Sequence, residues 1–336
     1  MLLSRFPRFH FAHLPTPLEF LPRLSKAYGT NKLWIKRDDC TGLAGGGNKT
    51  RKLEFLLADA KQKNADTIIT PGATQSNHCR QTAAIAAKMG LECHLIMEDR
   101  TGSEDEDYNY NGNILLDQLL GAKLSTVAGG TNMQTAMESL AIELKELGKN
   151  PYLIPGGGSN AIGALGYVNC ALELLHQANT SGLKIDYVVH ATGSAGTQAG
   201  LVTGFCGSGS RVPVLGISTK AAKQAQEEKV FALALETAAL CGLPDAVKRA
   251  DVIANSDYVG EGYGIPTKGT IDAMETLART ESILLDPVYT AKGMDGMLDL
   301  VRQGFFGEHK NIVFIHTGGA QGIHGYRSMF NYPDYR

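Results

Sequence analysis

The sequence has 336 residues, of which 43% are hydrophobic and 20% are charged, and its formal net charge is −2. This balance is that of a globular protein, and the near-neutral charge excludes the strongly basic class that binds nucleic acids or anionic membranes. A chain of this length exceeds what one hydrophobic core usually supports, so two lobes are expected.

The first residues and the cysteines favour a cytoplasmic protein. The N-terminal segment lacks the long apolar stretch of a signal peptide and is interrupted by Pro7, Pro15 and Pro17. No window approaches about 18 apolar residues, so no membrane span is expected. The six cysteines form no CxxC pair, which favours free thiols over disulfides or a zinc site, and the nine histidines predict no metal site.

Short apolar runs alternate with helical patterns along the chain. The predicted strands are 33–36, 67–70, 93–97, 123–127, 152–154, 187–190, 214–218 and 312–316. The predicted helices are 52–63, 77–89, 113–120, 133–147, 162–176, 197–205, 221–241, 270–280 and 292–301. Most of these strands lack alternating polarity, so the pattern predicts an α/β protein with parallel sheets wrapped by helices. The acidic segment 104–107 is predicted to be a solvated loop.

A glycine-rich segment after the first predicted strand contains the most informative lysine. The residues Gly45, Gly46 and Gly47 are followed by Asn48 and Lys49, and a helical pattern begins just after them. Glycines let the backbone pass close to a bound group. A lysine at such a turn can enter a cleft and form a Schiff base with a carbonyl cofactor. Taken alone, the segment is more simply explained by a surface lysine in a first helical turn, but the rest of the chain reverses that preference.

The next predicted strand leads into the polar segment 72–78. Ser76 is placed to cap the helix that follows, and the free N–H groups and positive dipole end of that helix would attract a carboxylate. A plain N-cap explains the same residues equally well.

Three later segments also place small polar residues after a strand or turn. The segment after strand 187–190 could surround a phosphate with amides and hydroxyls, and it consists of Gly193, Ser194, Ala195, Gly196 and Thr197. It does not match Walker A, so a smaller phosphorylated cofactor fits better than ATP. Gly156 could line a pocket, and Thr317 could hydrogen-bond a ring nitrogen. A tight turn is the alternative explanation for each segment.

Two tyrosines stand in loops that also contain glycine or proline. Tyr263 lies in 261–266 and Tyr289 in 286–290. A tyrosine can act as acid or base if its pKa is lowered, or it can orient a neighbour that does. For either tyrosine alone, a packed ring with a satisfied hydroxyl is the simpler explanation.

Taken together, these segments resemble the fold-type II, tryptophan-synthase-β-like pyridoxal-phosphate (PLP) enzymes, and specifically the 1-aminocyclopropane-1-carboxylate (ACC) deaminase / D-cysteine desulfhydrase family. The resemblance extends from 5–8 to 316–320. Its most specific motifs are Gly46-Gly47-Asn48-Lys49-x-Arg51-Lys52-Leu53-Glu54, Gln75-Ser76-Asn77-x-x-Arg80-Gln81 and Asp286-Pro287-Val288-Tyr289.

The resemblance implies a role for each candidate residue. Lys49 would bind PLP covalently, Lys52 and residues 193–197 would hold its phosphate, and Thr317 would meet its ring nitrogen. The residues implied to bind substrate or cofactor around the helix start and the pocket wall are Ser76, Asn77, His78, Thr74 and Gly156. Tyr263 and Tyr289 would face the substrate. The family also implies a homodimer, with a small domain over 50–155 inserted into a large PLP-binding domain of 1–49 and 156–336.

Departures from ACC deaminase guide the predicted reaction. That enzyme has a glutamate after the DPVY tyrosine, where this chain has Thr290. A threonine rather than an acid near the pyridine nitrogen favours β-elimination over opening of a cyclopropane. Thr74 and Gly156 make the chain more similar to the L-cysteate sulfo-lyase branch, so the leading prediction is release of sulfite from L-cysteate. The alternatives are D-cysteine desulfhydrase, less favourably ACC deaminase, and a PLP-binding or small-ligand-binding protein without activity.

Overall fold

The computed structural model describes residues 2–330 and 332. The strands are β1 (Leu18–Phe20), β2 (Lys32–Arg37), β3 (Thr67–Ala73), β4 (Glu92–Glu98), β5 (Lys123–Val127), β6 (Pro151–Leu153), β7 (Tyr187–Thr192), β8 (Val214–Ser218), β9 (Val252–Asn255) and β10 (Asn311–His316). The α-helices are α1 (Pro22–Ala27), α2 (Lys49–Gln62), α3 (Asn77–Met89), α4 (Glu106–Tyr110), α5 (Asn113–Leu119), α6 (Met133–Glu146), α7 (Ala161–Ser181), α8 (Gly196–Gly207), α9 (Lys223–Leu240), α10 (Lys268–Glu281) and α11 (Thr290–Arg302). No helix in these ranges is long and apolar enough to cross a bilayer.

The strands form two sheets. The six-stranded sheet has the order β1-β2-β10-β7-β8-β9, in which only the β1–β2 pair is antiparallel. The four-stranded sheet has the order β5-β4-β3-β6 and is parallel throughout. These sheets confirm the predicted α/β class with parallel strands. The division of strands between them is consistent with an inserted small domain, and we propose the domain bounds predicted above.

Both faces of each sheet are covered, as the non-alternating strand sequences require. In β7, Val188 packs with α7, α8 and α9, while its neighbour Val189 packs on the opposite face with α10 and α11. In β3, Ile68 packs against α2 and α3, and Ile69 packs against α6. Successive residues of a strand therefore feed two separate apolar layers.

Close helix packing and a buried polar cluster fix α2 against the larger sheet. A Cβ atom at Gly166 in α7 would lie 2.4 Å from the carbonyl oxygen of Arg51, so only glycine lets the two helices approach this closely. The Arg51 guanidinium bonds both Asp38 and Glu173. Because Lys49 begins the same helix, these contacts also fix the position of the candidate lysine.

The eight predicted strands and nine predicted helices all occur, with small shifts at their ends. The segments that sequence reasoning missed are short: β1 and β9 have three and four residues, and α1 and α4 have six and five. The acidic segment is not entirely a loop, because the Asp105 side chain caps α4 by accepting a hydrogen bond from the Asp107 N–H at 2.9 Å. Its acidic residues stabilise the positive end of that helix.

Candidate active site

A cavity of about 290 Å³ lies where the carboxyl ends of strands from both sheets meet. Its walls include Ser76 after β3, Gly193 after β7, Thr219 after β8 and Thr317 after β10. Ligands of open parallel sheets bind at this end, because the loops and helix N-termini that follow the strands converge there. The cavity therefore brings together segments that are more than two hundred residues apart in the sequence.

Lys49 is the first residue of α2 and lines this cavity. Burial disfavours its charged form and lowers its pKa to about 8, although the nearby Asp286 carboxylate opposes the shift. An appreciable fraction of Lys49 is consequently an uncharged, nucleophilic amine near neutral pH.

The glycine segment before Lys49 has a geometry that other residues would not tolerate. Gly46 has φ of 76°, and a Cβ atom there would lie 1.9 Å from the carbonyl oxygen of Asp39. The Thr41 hydroxyl accepts from the Gly47 N–H at 2.7 Å, and Arg80 of α3 donates to the Gly46 carbonyl at 2.9 Å. Arg80, one turn into α3, therefore helps to hold the glycine segment in this conformation.

The start of α3 has the form predicted for a carboxylate site. Ser76 is the N-cap, and its Oγ accepts from the Cys79 N–H at 3.2 Å. The N–H groups of Asn77 and His78 precede the first intrahelical bond, from Arg80 N–H to the Ser76 carbonyl. Ser76, Asn77 and His78 all line the cavity, so these leading amides and the cap hydroxyl are available to a ligand carboxylate.

His78 is a neutral side chain with a defined tautomer. The Thr70 hydroxyl donates to the Ile154 carbonyl at 2.9 Å, so His78 Nε2, 2.7 Å from that hydroxyl oxygen, must be the donor in their bond. Nδ1 then carries a lone pair and has no partner among the described residues. Burial lowers the pKa of His78 well below its ordinary value, and the charges of Lys49 and Lys52 add to the shift.

Residues 193–197 and the 156–159 segment enclose a cationic corner of the cavity. Ala195 has φ of 78°, which turns the chain into α8, and Ser159 Oγ lies 2.8 Å from Ser194 Oγ. Lys52 Nζ donates to the Gly157 carbonyl at 3.1 Å. A Cβ atom at Gly196 would lie 3.0 Å from that ammonium nitrogen, so glycine leaves room beside it.

The charge of this corner fits the phosphate of a cofactor. Burial lowers the pKa of Lys52 well below its ordinary value, and the neighbouring charge of Lys49 contributes to the shift. Across residues 2–330 and 332, no ion pair involves Lys49 or Lys52. A buried cation without a counterion is unfavourable, so a phosphate dianion bound here would relieve the cost of both lysines.

Tyr263 and Tyr289 meet at the cavity wall, where their hydroxyls are hydrogen-bonded to one another and their rings pack edge to face at 5.7 Å. Burial raises the pKa of Tyr289 to about 12 and also raises that of Tyr263. Neither tyrosine therefore meets the condition, a lowered pKa, under which we expected it to act as a base. Both are phenols at neutral pH and are suited to donate a proton or hydrogen bond.

The two threonines that the sequence analysis considered near the ring nitrogen have different surroundings, and only one of them lines the cavity. Thr317 lines the cavity, and its carbonyl accepts from the Asn48 N–H at 2.9 Å. Thr290 does not line the cavity; its hydroxyl donates to Asp286 Oδ1 at 2.6 Å at the start of α11. No aspartate or glutamate is among the residues that line the described cavity.

The remaining predicted residues are placed differently. Gly156 lines the cavity wall, whereas Thr74 does not reach the cavity and its hydroxyl interacts with the phenol of Tyr108. Sequence reasoning missed three cationic cavity residues, Arg100, Lys220 and Lys229. Lys220 could have been noticed, because it follows the end of a predicted strand as Ser76 and Thr317 do.

Comparison with known proteins agrees with this geometry. Residues 10–318 match the family model described as "Pyridoxal-phosphate dependent enzyme". The chain is 45% identical over 324 residues to proteins named D-cysteine desulfhydrase from Salmonella typhimurium and Klebsiella pneumoniae, covering 96% of this chain and 97% of each relative. A crystal structure described as an ACC deaminase homologue superposes with a TM-score of 0.89 at 38% identity, covering 97% of this chain and 96% of that chain. These matches confirm the predicted resemblance and fold type.

Proposed function

Because this chain belongs to the family of pyridoxal-phosphate dependent enzymes, we propose that it is a carbon–sulfur lyase that removes a β-sulfur group from a small amino acid. The observation that carries this proposal is Lys49, a partly neutral amine at the head of α2, in a cavity with a phosphate cradle on one side and a carboxylate site on the other. The predicted PLP cofactor is confirmed by the family.

The relatives favour D-cysteine as the substrate over the L-cysteate that led the sequence predictions. Near-full-length relatives carry the name D-cysteine desulfhydrase, and none of those described above is named for L-cysteate. The proposed reaction converts D-cysteine and water to pyruvate, ammonia and hydrogen sulfide. The Cα proton is lost, the Cβ–S bond breaks with its electrons on sulfur, and water replaces nitrogen at Cα.

Each step uses a residue already placed in the cavity. Bound PLP supplies an electron sink that acidifies the Cα–H bond. Lys49 would accept that proton, and the helix start at Ser76 and Asn77 would hold the substrate carboxylate. Tyr289, a phenol with raised pKa, would donate to the departing sulfur. Thr317 would hydrogen-bond a neutral ring nitrogen, which suits the milder electron demand of β-elimination.

L-Cysteate is the second candidate substrate, and the charge of the cavity favours it. The residues that line the described cavity include Arg100, Lys220 and Lys229 but no carboxylate. Gly156 also leaves the wall open, since a Cβ atom there would meet only Pro71, at 3.8 Å. Thr74, the other residue that suggested a sulfonate, does not reach the cavity and no longer supports that choice.

Pyruvate release by the purified holoenzyme, measured side by side with D-cysteine, L-cysteate and ACC, tests the proposal. Sulfide released with D-cysteine supports a desulfhydrase, and sulfite released with L-cysteate supports the second candidate. Comparable turnover of ACC to 2-oxobutanoate would overturn the carbon–sulfur lyase assignment. Absence of turnover on all three, with PLP bound, would favour the binding-protein alternative. Cytoplasmic location and a homodimer remain predictions.

Replacing Ser76 by alanine should weaken substrate binding about 5- to 150-fold, the loss of roughly 1–3 kcal/mol for a charge-assisted hydrogen bond to the substrate carboxylate. Steady-state kinetics of the holoenzyme measure this loss as a raised KM. The matched control is Thr267→Ala, which removes a side-chain cap from α10 at a residue that does not line the cavity. Equal kinetics for Ser76→Ala and Thr267→Ala would contradict the carboxylate role.

Loading of PLP onto the stripped protein should accelerate as pH rises through about 8, because only the neutral amine of Lys49 attacks the cofactor aldehyde. Between pH 7 and 9 the neutral fraction rises about tenfold for a pKa near 8. Stopped-flow absorbance of lysine-bound PLP gives the rate at each pH. A rate that still rises at pH 10, as for an unperturbed lysine, would contradict the assignment.

A further inference from the structure

The mouth of the cavity carries a cationic group that the proposed elimination does not use. We call this group, Arg100, Lys220 and Lys229, the cationic rim; all three side chains line the cavity. Arg100 follows β4, Lys220 follows β8, and Lys229 lies in α9, so three separate elements of the fold contribute one charge each. Arg100 is half-buried, while the two lysines are exposed at the entrance.

The rim has an excess of positive charge. Glu98 is the carboxylate paired with Arg100: its Oε2 accepts from Arg100 Nε at 2.5 Å, and its charge also interacts with Lys220. Glu98 Oε1 is already bonded to the Gly130 N–H at 3.0 Å. Among the residues that the structure describes, neither rim lysine forms an ion pair. Glu98 therefore neutralises only part of the positive charge of the rim.

The rim is separate from the phosphate cradle. Partial burial of its ammonium lowers the pKa of Lys229, and the charges of Lys220 and Arg100 lower it further, so the three rim side chains lie close enough to interact. In the cradle, Lys52 Nζ donates to the Gly157 carbonyl at 3.1 Å. Arg100 of the rim is instead bonded to Glu98 and packs on the Tyr263 ring. The cofactor phosphate would be neutralised at the cradle, which leaves the rim available for another anion.

The rim adjoins the part of the cavity where a departing group would lie. The Arg100 guanidinium carbon sits 4.9 Å from the centre of the Tyr263 ring, and Tyr263 is hydrogen-bonded to Tyr289. The charge of Arg100 acts on both phenols. A group bound between Tyr289 and Arg100 would contact a proton donor and a cation, in a cavity that Lys220 and Lys229 also line.

We propose that Arg100, Lys220 and Lys229 form an anion subsite that selects amino acids whose β-substituent is itself an oxyanion, a sulfonate above all. This proposal rests on the carbon–sulfur lyase function. When the Cβ–S bond of a sulfonate breaks, both electrons leave with sulfur and the group departs as sulfite, so its negative charge increases. Cations fixed beside it stabilise that departing charge more than the bound substrate.

The first experiment measures binding without elimination. Calorimetry on the holoenzyme compares 3-sulfopropanoate with 3-mercaptopropanoate, which share a carboxylate but differ in the charge of the β-group and lack the amino group needed for reaction. We expect the sulfonate to bind at least about tenfold more tightly, as a charge-assisted contact implies. Lys220→Gln and Lys229→Gln should each remove much of this preference, and Arg100→Gln should remove more.

The matched control is Lys223→Gln, which removes an exposed lysine from the same helix outside the cavity lining. It should preserve the preference for the sulfonate. Equal binding of the two ligands to the wild type, or a preference unchanged in the Lys220 and Lys229 variants, would overturn the subsite. These lysines are exposed, so their variants test it even if Arg100→Gln fails to fold.

Turnover separates this proposal from the function on which it rests. If the rim acts as proposed, kcat/KM for L-cysteate should fall on the order of tenfold in each lysine variant, and kcat/KM for D-cysteine should fall by a smaller factor. Absence of elimination from every substrate, combined with selective sulfonate binding that depends on the rim, would disprove the lyase and support the subsite. Loss of turnover for both substrates in parallel would contradict a role in selectivity.

Discussion

Replacing Lys49 by methionine is expected to abolish elimination and at the same time to stabilise the protein stripped of PLP. Activity should fall by at least about 10²- to 10⁴-fold, the usual contribution of a positioned proton acceptor, and further because covalent attachment of PLP is also lost. Methionine has a similar length and no charge, so the wall of the cavity is preserved. Pyruvate release and the absorbance of lysine-bound PLP measure the two losses.

The stability gain follows from the direction of the pKa shift. The pKa of Lys49 in the folded protein is about 8, below the ordinary value of 10.5, so the native state binds this proton more weakly than the unfolded state. The resulting destabilisation is complete below pH 8 and disappears as pH rises toward 10.5. At pH 7 the free energy of unfolding of the variant should be higher by on the order of 2 kcal/mol. This value is smaller than the pKa shift alone would give, because water in the cavity screens the lysine charge.

Denaturant unfolding of both stripped proteins at pH 7 and pH 9.5 checks this prediction. The gain in unfolding free energy of Lys49→Met over the wild type should be smaller at pH 9.5 than at pH 7. Lys63→Met is the control, because Lys63 follows the last residue of the same helix as an exposed side chain paired with Asp59. A variant that keeps turnover would remove Lys49 from the active site, and one that is less stable at pH 7 would contradict the cost of burying its charge.

The sequence predicted those parts of the site that lie within one strand–loop–helix unit. Each of these parts depends on backbone geometry set by a few neighbouring residues: Lys49 follows its glycines, Ser76 caps α3, and residues 193–197 lead into α8. The alternation of short apolar runs with helical patterns likewise revealed the two parallel sheets. The strands and α-helices that the sequence analysis missed are short, such as β9 with four residues.

The cationic rim was not predicted, because its members come from three elements with no common local pattern. In the sequence, Arg100 is one of several polar residues after a predicted strand, and Lys229 lies at an exposed position of a long helix. Their convergence depends on how the two sheets face each other. Thr74 shows the opposite case: its neighbour Ser76 enters the cavity, but the turn directs Thr74 toward Tyr108.

A second large effect is expected at Arg51, where replacement by methionine should destabilise the fold by about 3–5 kcal/mol. The guanidinium is fully buried and bonds Asp38 at 2.9 Å through both Nε and Nη2, and Glu173 through Nη1 at 3.0 Å and Nη2 at 2.9 Å. Lys36 supplies the second cation to Glu173, so charges in this cluster are balanced. Without Arg51, Asp38 would remain as a buried carboxylate with no cation bonded to it.

The matched control is Arg37→Met, since Arg37 pairs with Asp39 and Glu19 where both partners reach solvent. That change should cost about 1 kcal/mol or less. Adding Asp38→Asn to Arg51→Met should restore part of the stability, because the amide oxygen can still accept the Tyr167 hydroxyl and the uncompensated charge is gone. Equal losses for the Arg37 and Arg51 variants would contradict the buried-charge argument.

The pH dependence of the Arg51 variant provides an independent check. In the wild type Arg51 holds the pKa of Asp38 below its ordinary value despite burial, so this carboxylate stabilises the fold above that value and its contribution is lost as pH falls. In Arg51→Met, burial is no longer opposed by the guanidinium, and Asp38 should take up a proton well above its ordinary pKa. The stability difference between variant and wild type should therefore narrow from pH 7 to pH 4.5. A constant difference would mean that Arg51 stabilises α2, and so the position of Lys49, through packing of its side chain and not through its charge.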